Sequence, residues 1–63
     1  MMLEAVWLKN GKEVYCVNPV MNVLCEDDMN NISEIEVYDG YHWHTYENVK
    51  DGADDFVIRV KRG

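Results

Sequence analysis

Residues 32–46 read ISEIEVYDGYHWHTY, and this stretch predicts a β-hairpin. Asp39-Gly40 is a preferred pair for a two-residue type I′ turn, which needs a positive φ at both central positions. The flanks at 32–38 and 41–49 are rich in Val, Ile, Tyr, Trp and Thr, which suit a pleated, half-buried surface. The sequence therefore predicts two antiparallel strands joined at Asp39-Gly40.

A second hairpin precedes this one along the chain. Asn10-Gly11 has the same turn chemistry and separates predicted strands at 3–9 and 12–18. A further strand is predicted at 55–61, where apolar side chains alternate, and it follows a turn-forming run. Trp7 and Ile58 are the expected core residues of these strands.

The segment 19–31 leaves two alternatives open. A helix over 19–29 would have Pro19 at its first position, where proline is favoured. A short strand at 20–25 is preferred, because the acids at 26–28 would crowd a helix C-terminus, where the macrodipole disfavours anions. The predicted fold class is all-β, a five- or six-stranded antiparallel sheet curled into a barrel or roll. The helix would make it α+β.

Chain length limits what the protein can contain. Sixty-three residues predict one domain, 1–63, with no room for a large catalytic cleft. No run of about 20 apolar residues exists to cross a membrane as a helix. The N-terminal residues do not resemble a secretory signal, and two cysteines are too few for a disulfide scaffold. We therefore expect a cytoplasmic protein with reduced thiols.

Negative charge is concentrated in the second half of the chain. The formal net charge is −6, yet residues 26–55 hold ten acids and one base, a net charge of −9 for that stretch. Such a surface repels nucleic acid and anionic lipid, since both are bound through Lys and Arg. It attracts a basic protein instead. Alternatively, the charge serves only solubility.

A two-residue turn at Asp39-Gly40 would divide the second hairpin into two faces. The face with Ile35, Val37 and Tyr46 is the expected core face, because the opposite face holds carboxylates that are costly to bury unpaired. The opposite face is predicted to carry Glu34, Glu36, Tyr38, Tyr41, Trp43 and Thr45. Tyr38 is expected opposite Tyr41, and Glu36 opposite Trp43. These aromatic rings either stabilise the hairpin alone or contact a partner.

The first hairpin is apolar on both faces. With a two-residue turn, one face carries Leu3, Ala5, Trp7, Val14 and Cys16, and the other carries Val6, Leu8, Tyr15 and Val17. Only two glutamates, Glu4 and Glu13, make the second face polar. A sheet that is apolar on both sides needs a cover on both, and either the segment 19–31 or a second copy of the chain could provide one.

Residues that carry chemistry are few. Cys16, Cys25, His42 and His44 match the inventory of a zinc site, but eight residues separate the two cysteines, which is not the spacing of structural zinc sites. The hydroxyl residues Ser33 and Thr45 lie in no recognisable nucleophile motif. We expect no metal, no cofactor and no enzymatic activity.

The leading hypothesis is a non-enzymatic protein-interaction module. It would bind a basic protein surface and inhibit a DNA- or RNA-handling protein by mimicking nucleic acid, without binding nucleic acid or membrane itself. The predicted partner-binding residues are Glu34, Glu36, Tyr38, Tyr41, Trp43, Glu26, Asp27 and Asp28. In a related version, the aromatic rings and Glu36 form a cage for a cationic side chain. The alternative is a structural subunit that forms a homodimer or larger assembly through the first hairpin.

Overall fold

The computed structural model describes residues 2–26 and 32–61. Its strands are β1 (Leu3–Lys9), β2 (Lys12–Val17), β3 (Val20–Cys25), β4 (Ile32–Tyr38), β5 (Trp43–Glu47) and β6 (Asp55–Val60). No helix occurs in the described residues, so none there could span a membrane. The all-β prediction is confirmed, and the alternative helix is wrong over residues 19–26, because 20–25 are strand.

The strands form two three-stranded antiparallel sheets. The first has the order β2-β1-β6 and the second the order β3-β4-β5. Within the described residues the strands form two sheets, not the one predicted, and they do not close into a barrel. Asn18 and Pro19 carry the chain from β2 in one sheet to β3 in the other. Two sheets bury apolar side chains between them, which a single flat sheet would leave exposed.

The core lies between the two sheets. Its buried cluster consists of Ala5, Trp7, Val17, Val20, Ile35 and Val37. Ile35 is 0% exposed and Trp7 is 1% exposed. The Trp7 indole N–H donates to the backbone carbonyl of Glu47 on the other sheet, at 3.3 Å. The predicted core face of the second hairpin is confirmed, whereas Ile58 only packs against the cluster and is half-buried.

The first hairpin has the predicted turn but not the predicted faces. Asn10 (φ 53°) and Gly11 (φ 81°) both have positive φ, and Lys9 pairs with Lys12. A β-bulge then shifts the register, so that Trp7 pairs with Tyr15 and not with Val14. One extra residue in a strand moves every later side chain to the other face. The predicted faces are consequently wrong for Tyr15, Cys16 and Val17: Tyr15 and Val17 share the inner face with Trp7, and Cys16 shares the outer face with Val6.

The second hairpin has a longer loop than predicted. Tyr38 pairs with Trp43 and Glu36 with Thr45, so four residues and not two lie between the strands. Gly40 has a φ of 101°, but Asp39 does not have a positive φ, so a type I′ turn is not formed. The register moves by two residues, and a shift by two returns each side chain to its predicted face.

Candidate protein-binding surface

The outer face of the second sheet, which points away from the core, is acidic and aromatic. We define the acidic–aromatic face as Glu34, Glu36 and Tyr38 on β4 with Trp43, Thr45 and Glu47 on β5. Asn22 and Leu24 of β3 flank β4 on its other side. Glu47 was not among the predicted site residues, because the predicted register placed Thr45, and not Glu47, opposite Glu34.

The hydrogen-bond pattern brings these side chains close together. The backbone N–H of Asn48 donates to the Ser33 carbonyl at 3.0 Å, and that of Asp39 donates to the His42 carbonyl at 3.2 Å. Hydrogen-bonded pairs alternate along an antiparallel ladder, so the pairs of the acidic–aromatic face are the non-hydrogen-bonded ones. In such pairs the Cα atoms are only about 4.5 Å apart and the side chains are closest.

Two carboxylates of this face stand directly opposite each other. Glu34 pairs with Glu47 across the β4–β5 ladder. Glu36 lies two residues from Glu34, on the same face, and accepts a hydrogen bond from the Asn22 amide at 3.1 Å. In the described part of the chain, no salt bridge joins any of these three carboxylates to a base. The acidic–aromatic face therefore holds like charges that the rest of the described chain leaves uncompensated.

We expect Glu47→Gln to stabilise the fold by about 0.2–1 kcal/mol, because like charges directly opposite each other are destabilising. Urea denaturation at neutral pH measures the change. Asp51→Asn is the matched control, since it removes the same charge from an exposed turn. An equal effect of the two variants would contradict the prediction, because only net charge would then matter.

The aromatic part of the face is a ring pair. The centroids of Tyr38 and Trp43 are 5.0 Å apart, with the planes tilted by 42°. The rings touch each other, so no cation-sized gap of the kind expected for an aromatic cage lies between them. Trp43 nevertheless remains 55% exposed. The exposed part of the Trp43 ring is a large apolar surface, and it lies on the same face as the carboxylates that form no salt bridge in the described chain.

Other predicted site residues lie elsewhere. Tyr41 is in the loop, 86% exposed, and does not pair with Tyr38, so its predicted place in the strand pairing is wrong. Glu26 follows the end of β3 and is exposed. Asp27 and Asp28 lie outside the described residues.

The loop between β4 and β5 is organised by Asp39. Its carboxylate accepts the backbone N–H groups of Tyr41 at 2.8 Å and His42 at 2.7 Å, and it contacts His44 Nε2 at 2.8 Å. The backbone bond from His42, the His44 ring and the bond from Tyr41 lower the pKa of Asp39 to about 2. The Asp39 carboxylate already has its hydrogen-bond partners in the loop and at His44, whereas the carboxylates of the acidic–aromatic face have no such set of partners among the described residues.

The outer face of the first sheet is covered by an ionic layer. Arg59 donates to Glu4 at 2.6 Å and also to Glu13. Glu4 pairs with Arg59 on one side of β1, and Glu13 pairs with Leu8 on the other side. The Arg59–Glu13 bond must therefore cross β1 over Val6, which is fully buried. The face that was expected to be apolar thus carries a salt-bridged cover.

This layer predicts a specific response to acid. The hydrogen bond from Arg59 holds the pKa of Glu4 below its ordinary value of 4.5. The stability that Glu4 contributes is then complete above pH 4.5 and is lost as the pH falls through its lower folded value. We expect Arg59→Gln to move acid unfolding, followed by circular dichroism, to higher pH. The pKa of Asp39 is also lowered, to about 2, in both proteins, so the difference between the variant and wild-type profiles reports on the Arg59–Glu4 pair. Superimposable profiles would contradict the role of Arg59.

The cysteines and histidines are not assembled into a site. Cys16 lies on the first sheet and donates to Glu4 at 3.5 Å, while His42 and His44 belong to the loop and strand of the second sheet. In residues 2–26 and 32–61, no three His, Cys, Asp or Glu residues are grouped to hold a metal. Burial and the Glu4 carboxylate raise the pKa of the Cys16 thiol. A nucleophilic cysteine needs the opposite shift.

An open groove of about 480 Å³ is lined by the start of β4, the segment between β5 and β6, and the start of β6. Two of its polar lining residues are already engaged in the fold. Asp54 contacts Lys9 and accepts the Asn10 backbone N–H, and Lys50 lies over the Tyr15 ring at 4.2 Å from its centroid. Among its described lining residues there is no Ser, Thr, Cys or His side chain.

No known protein family, curated protein or solved structure significantly matches this chain.

Proposed function

We propose that this protein is a non-enzymatic interaction module that binds a basic protein through the acidic–aromatic face. The observation that carries the proposal is the juxtaposition of Glu34 and Glu47 beside Glu36, without a salt bridge to any base in the described chain. Opposed like charges cost stability. The Lys and Arg side chains of a basic partner would neutralise these charges and be attracted to them. This attraction would be strongest at low ionic strength.

The aromatic residues supply the non-electrostatic part of the proposed interface. Rim charges mainly steer association, whereas well-packed aromatic anchors hold a complex together. Trp43 is more than half exposed and is held in place by Tyr38. Exposed Trp and Tyr side chains match the composition of protein-binding surfaces, in which aromatic residues are enriched.

A sharper form of the proposal is an inhibitor that mimics nucleic acid. Carboxylates on a small rigid sheet would occupy the basic site of a DNA- or RNA-handling protein, whose Lys and Arg side chains otherwise bind phosphates. The same charge disfavours direct binding of nucleic acid or of an anionic membrane. A cytoplasmic location is part of the proposal, and the free thiols of Cys16 and Cys25 support it.

The alternative of self-assembly through the first hairpin has weaker support. That alternative rests on an apolar outer face, and the centre of that face carries the charged residues Glu4, Arg59 and Glu13. We therefore propose the acidic–aromatic face, and not the first sheet, as the contact surface.

The test is capture of partners on the immobilised chain, followed by elution with rising salt and, separately, with duplex DNA. We expect a protein that is retained at about 50 mM salt, that binds clearly more weakly at about 200 mM, and that is displaced by the DNA. The variant Glu34→Gln/Glu36→Gln/Glu47→Gln should not retain it. Asp51→Asn, which removes one charge elsewhere, should retain it more strongly than Glu47→Gln does.

The two levels of the proposal fail in different ways. A partner that is lost from the triple variant but is not displaced by duplex DNA would support the interaction module and contradict nucleic-acid mimicry. Equal retention by wild type and by the folded triple variant would contradict the proposed face itself.

A further inference from the structure

We propose that the edge of β5, which pairs with no further strand of the described residues, accepts an extended basic segment of the partner as a fourth strand of the second sheet. This inference rests on the proposed function and specifies how the partner binds. β5 is an edge strand, since the sheet order is β3-β4-β5. A strand that adds to a sheet edge gains affinity from backbone hydrogen bonds and specificity from alternate side chains.

The pairing pattern shows which backbone groups point outward. Because the pairs of the acidic–aromatic face are not hydrogen-bonded within the β4–β5 ladder, the N–H and C=O groups of Trp43, Thr45 and Glu47 point away from β4. The Glu47 carbonyl accepts its hydrogen bond from the Trp7 indole N–H, which is consistent with a carbonyl that points away from β4. The outward groups of Trp43 and Thr45 have no backbone partner in the described residues. These groups are a template for an added strand.

The other edges are less suited to a basic strand. β2 carries a bulge next to its pairing with Trp7, and β3 has irregular pairing near both ends. Bulges are a common protection of sheet edges against strand addition. β6 pairs regularly, but it carries Arg59 and is followed by Lys61. Charge complementarity therefore selects β5, which has no bulge, no Pro and no Lys or Arg.

The same pattern defines the sequence that fits. On the outer face, an added strand would place alternate side chains beside Trp43, Thr45 and Glu47, about 6.8 Å apart. Lys or Arg at those positions would meet Glu47 and the nearby Glu34 and extend over the Trp43 ring. The intervening side chains would lie beside His44 and Tyr46, on the core side, where Val or Thr fits. The partner segment is thus an extended run in which basic and β-branched residues alternate.

The test uses a short synthetic peptide in which Lys alternates with Val, acetylated and amidated at its ends. A second peptide has the same side chains and carries N-methyl groups on the nitrogens that would bond to β5. We expect N-methylation to weaken binding at least about tenfold, because several backbone hydrogen bonds are lost. Amide hydrogen exchange at Trp43, Thr45 and Glu47 should slow when the first peptide binds.

A matched pair of protein variants tests the edge from the other side. Thr45→Pro removes an N–H that points away from β4, a position where an edge strand tolerates proline. Thr45→Val keeps that N–H. We expect the Pro variant to bind the Lys–Val peptide at least about tenfold more weakly than the Val variant does. If Thr45→Pro does not fold, the N-methylated peptide decides the question on the wild-type protein.

The outcomes separate this inference from the proposed function. Equal, salt-sensitive binding of both peptides to the acidic–aromatic face would overturn strand addition and leave the basic-partner proposal standing. Binding of neither peptide at low salt would contradict both. Dimerisation of the wild-type protein without peptide, abolished by Thr45→Pro, would show that the edge pairs with a second copy and would overturn the basic segment as its occupant.

Discussion

Trp7→Ala is expected to unfold the protein or leave it close to its unfolding midpoint at ambient temperature. Trp7 is 1% exposed, and its ring lies 5.0 Å from Phe56, 5.5 Å from Tyr15 and 6.0 Å from Tyr46. Truncating a buried Trp to Ala costs about 3–5 kcal/mol. At about 0.05–0.15 kcal/mol per residue, a chain of this length has a total stability of the same size.

The indole also joins the two sheets, through its hydrogen bond to the Glu47 carbonyl. Trp7→Phe, which keeps a ring but loses this donor, should therefore fall between wild type and Trp7→Ala in thermal melts followed by circular dichroism. Ile58→Ala should cost less than Ile35→Ala, because Ile58 is only half-buried and Ile35 is completely buried. A Trp7→Ala variant that melts within a few degrees of wild type would contradict the core assignment.

Trp43→Ala is expected to preserve the fold and to weaken partner binding about 30-fold, mostly through faster dissociation. The fold loses only one cross-strand ring pair, worth about 0.5–1.5 kcal/mol. An aromatic anchor at the centre of an interface is worth about 2 kcal/mol or more, and related complexes differ mainly in dissociation rate. Surface plasmon resonance with the captured partner measures both rates.

Tyr41→Ala is the matched control for this prediction. It removes another exposed aromatic ring, but one in the loop and outside the acidic–aromatic face. Its effect on dissociation should be clearly smaller. Unchanged affinity of a folded Trp43→Ala/Glu36→Gln variant would contradict the proposed interface, and an unfolded Trp43→Ala would contradict the assignment of Trp43 to the outer face.

The strands and their order along the chain were predictable because turn chemistry and alternation are local properties. Asn10-Gly11 adopts the predicted turn. Asp39-Gly40 does not, because the Asp39 carboxylate closes a wider loop by accepting the N–H groups of Tyr41 and His42. That preference depends on side-chain geometry which the Asp-Gly pair alone does not specify.

The face of each side chain was predicted correctly only where the predicted register was wrong by an even number of residues. The second hairpin is displaced by two residues, which leaves Glu34, Glu36 and Trp43 on the predicted face. The first hairpin is displaced by one residue at its bulge, which exchanges the faces of Tyr15 and Cys16. The local sequence does not specify this bulge, because the run from Val14 to Val17 places an apolar or aromatic side chain on each face in either register.

Pairings between distant segments were beyond the sequence pattern. Arg59 meets Glu4 and Glu13 only because β6 pairs with β1 beside β2. The opposition of Glu34 and Glu47 likewise depends on the length of the 39–42 loop. The residue types of the acidic–aromatic face could therefore be predicted from the sequence. The pairing of Glu34 with Glu47, on which the proposed function rests, could not.

The most direct measurement is an amide and indole chemical-shift titration of the ¹⁵N-labelled protein with the Lys–Val peptide at low salt. We predict shifts concentrated at Glu34, Glu36, Glu47 and the Trp43 indole. The acidic turn at 51–54, with Asp55 at the start of β6, serves as an internal control, because it also carries three carboxylates but on a different surface. Its amides should change little. Shifts of equal size in that turn, or spread evenly over all acidic segments, would contradict a specific basic-partner site on the second sheet.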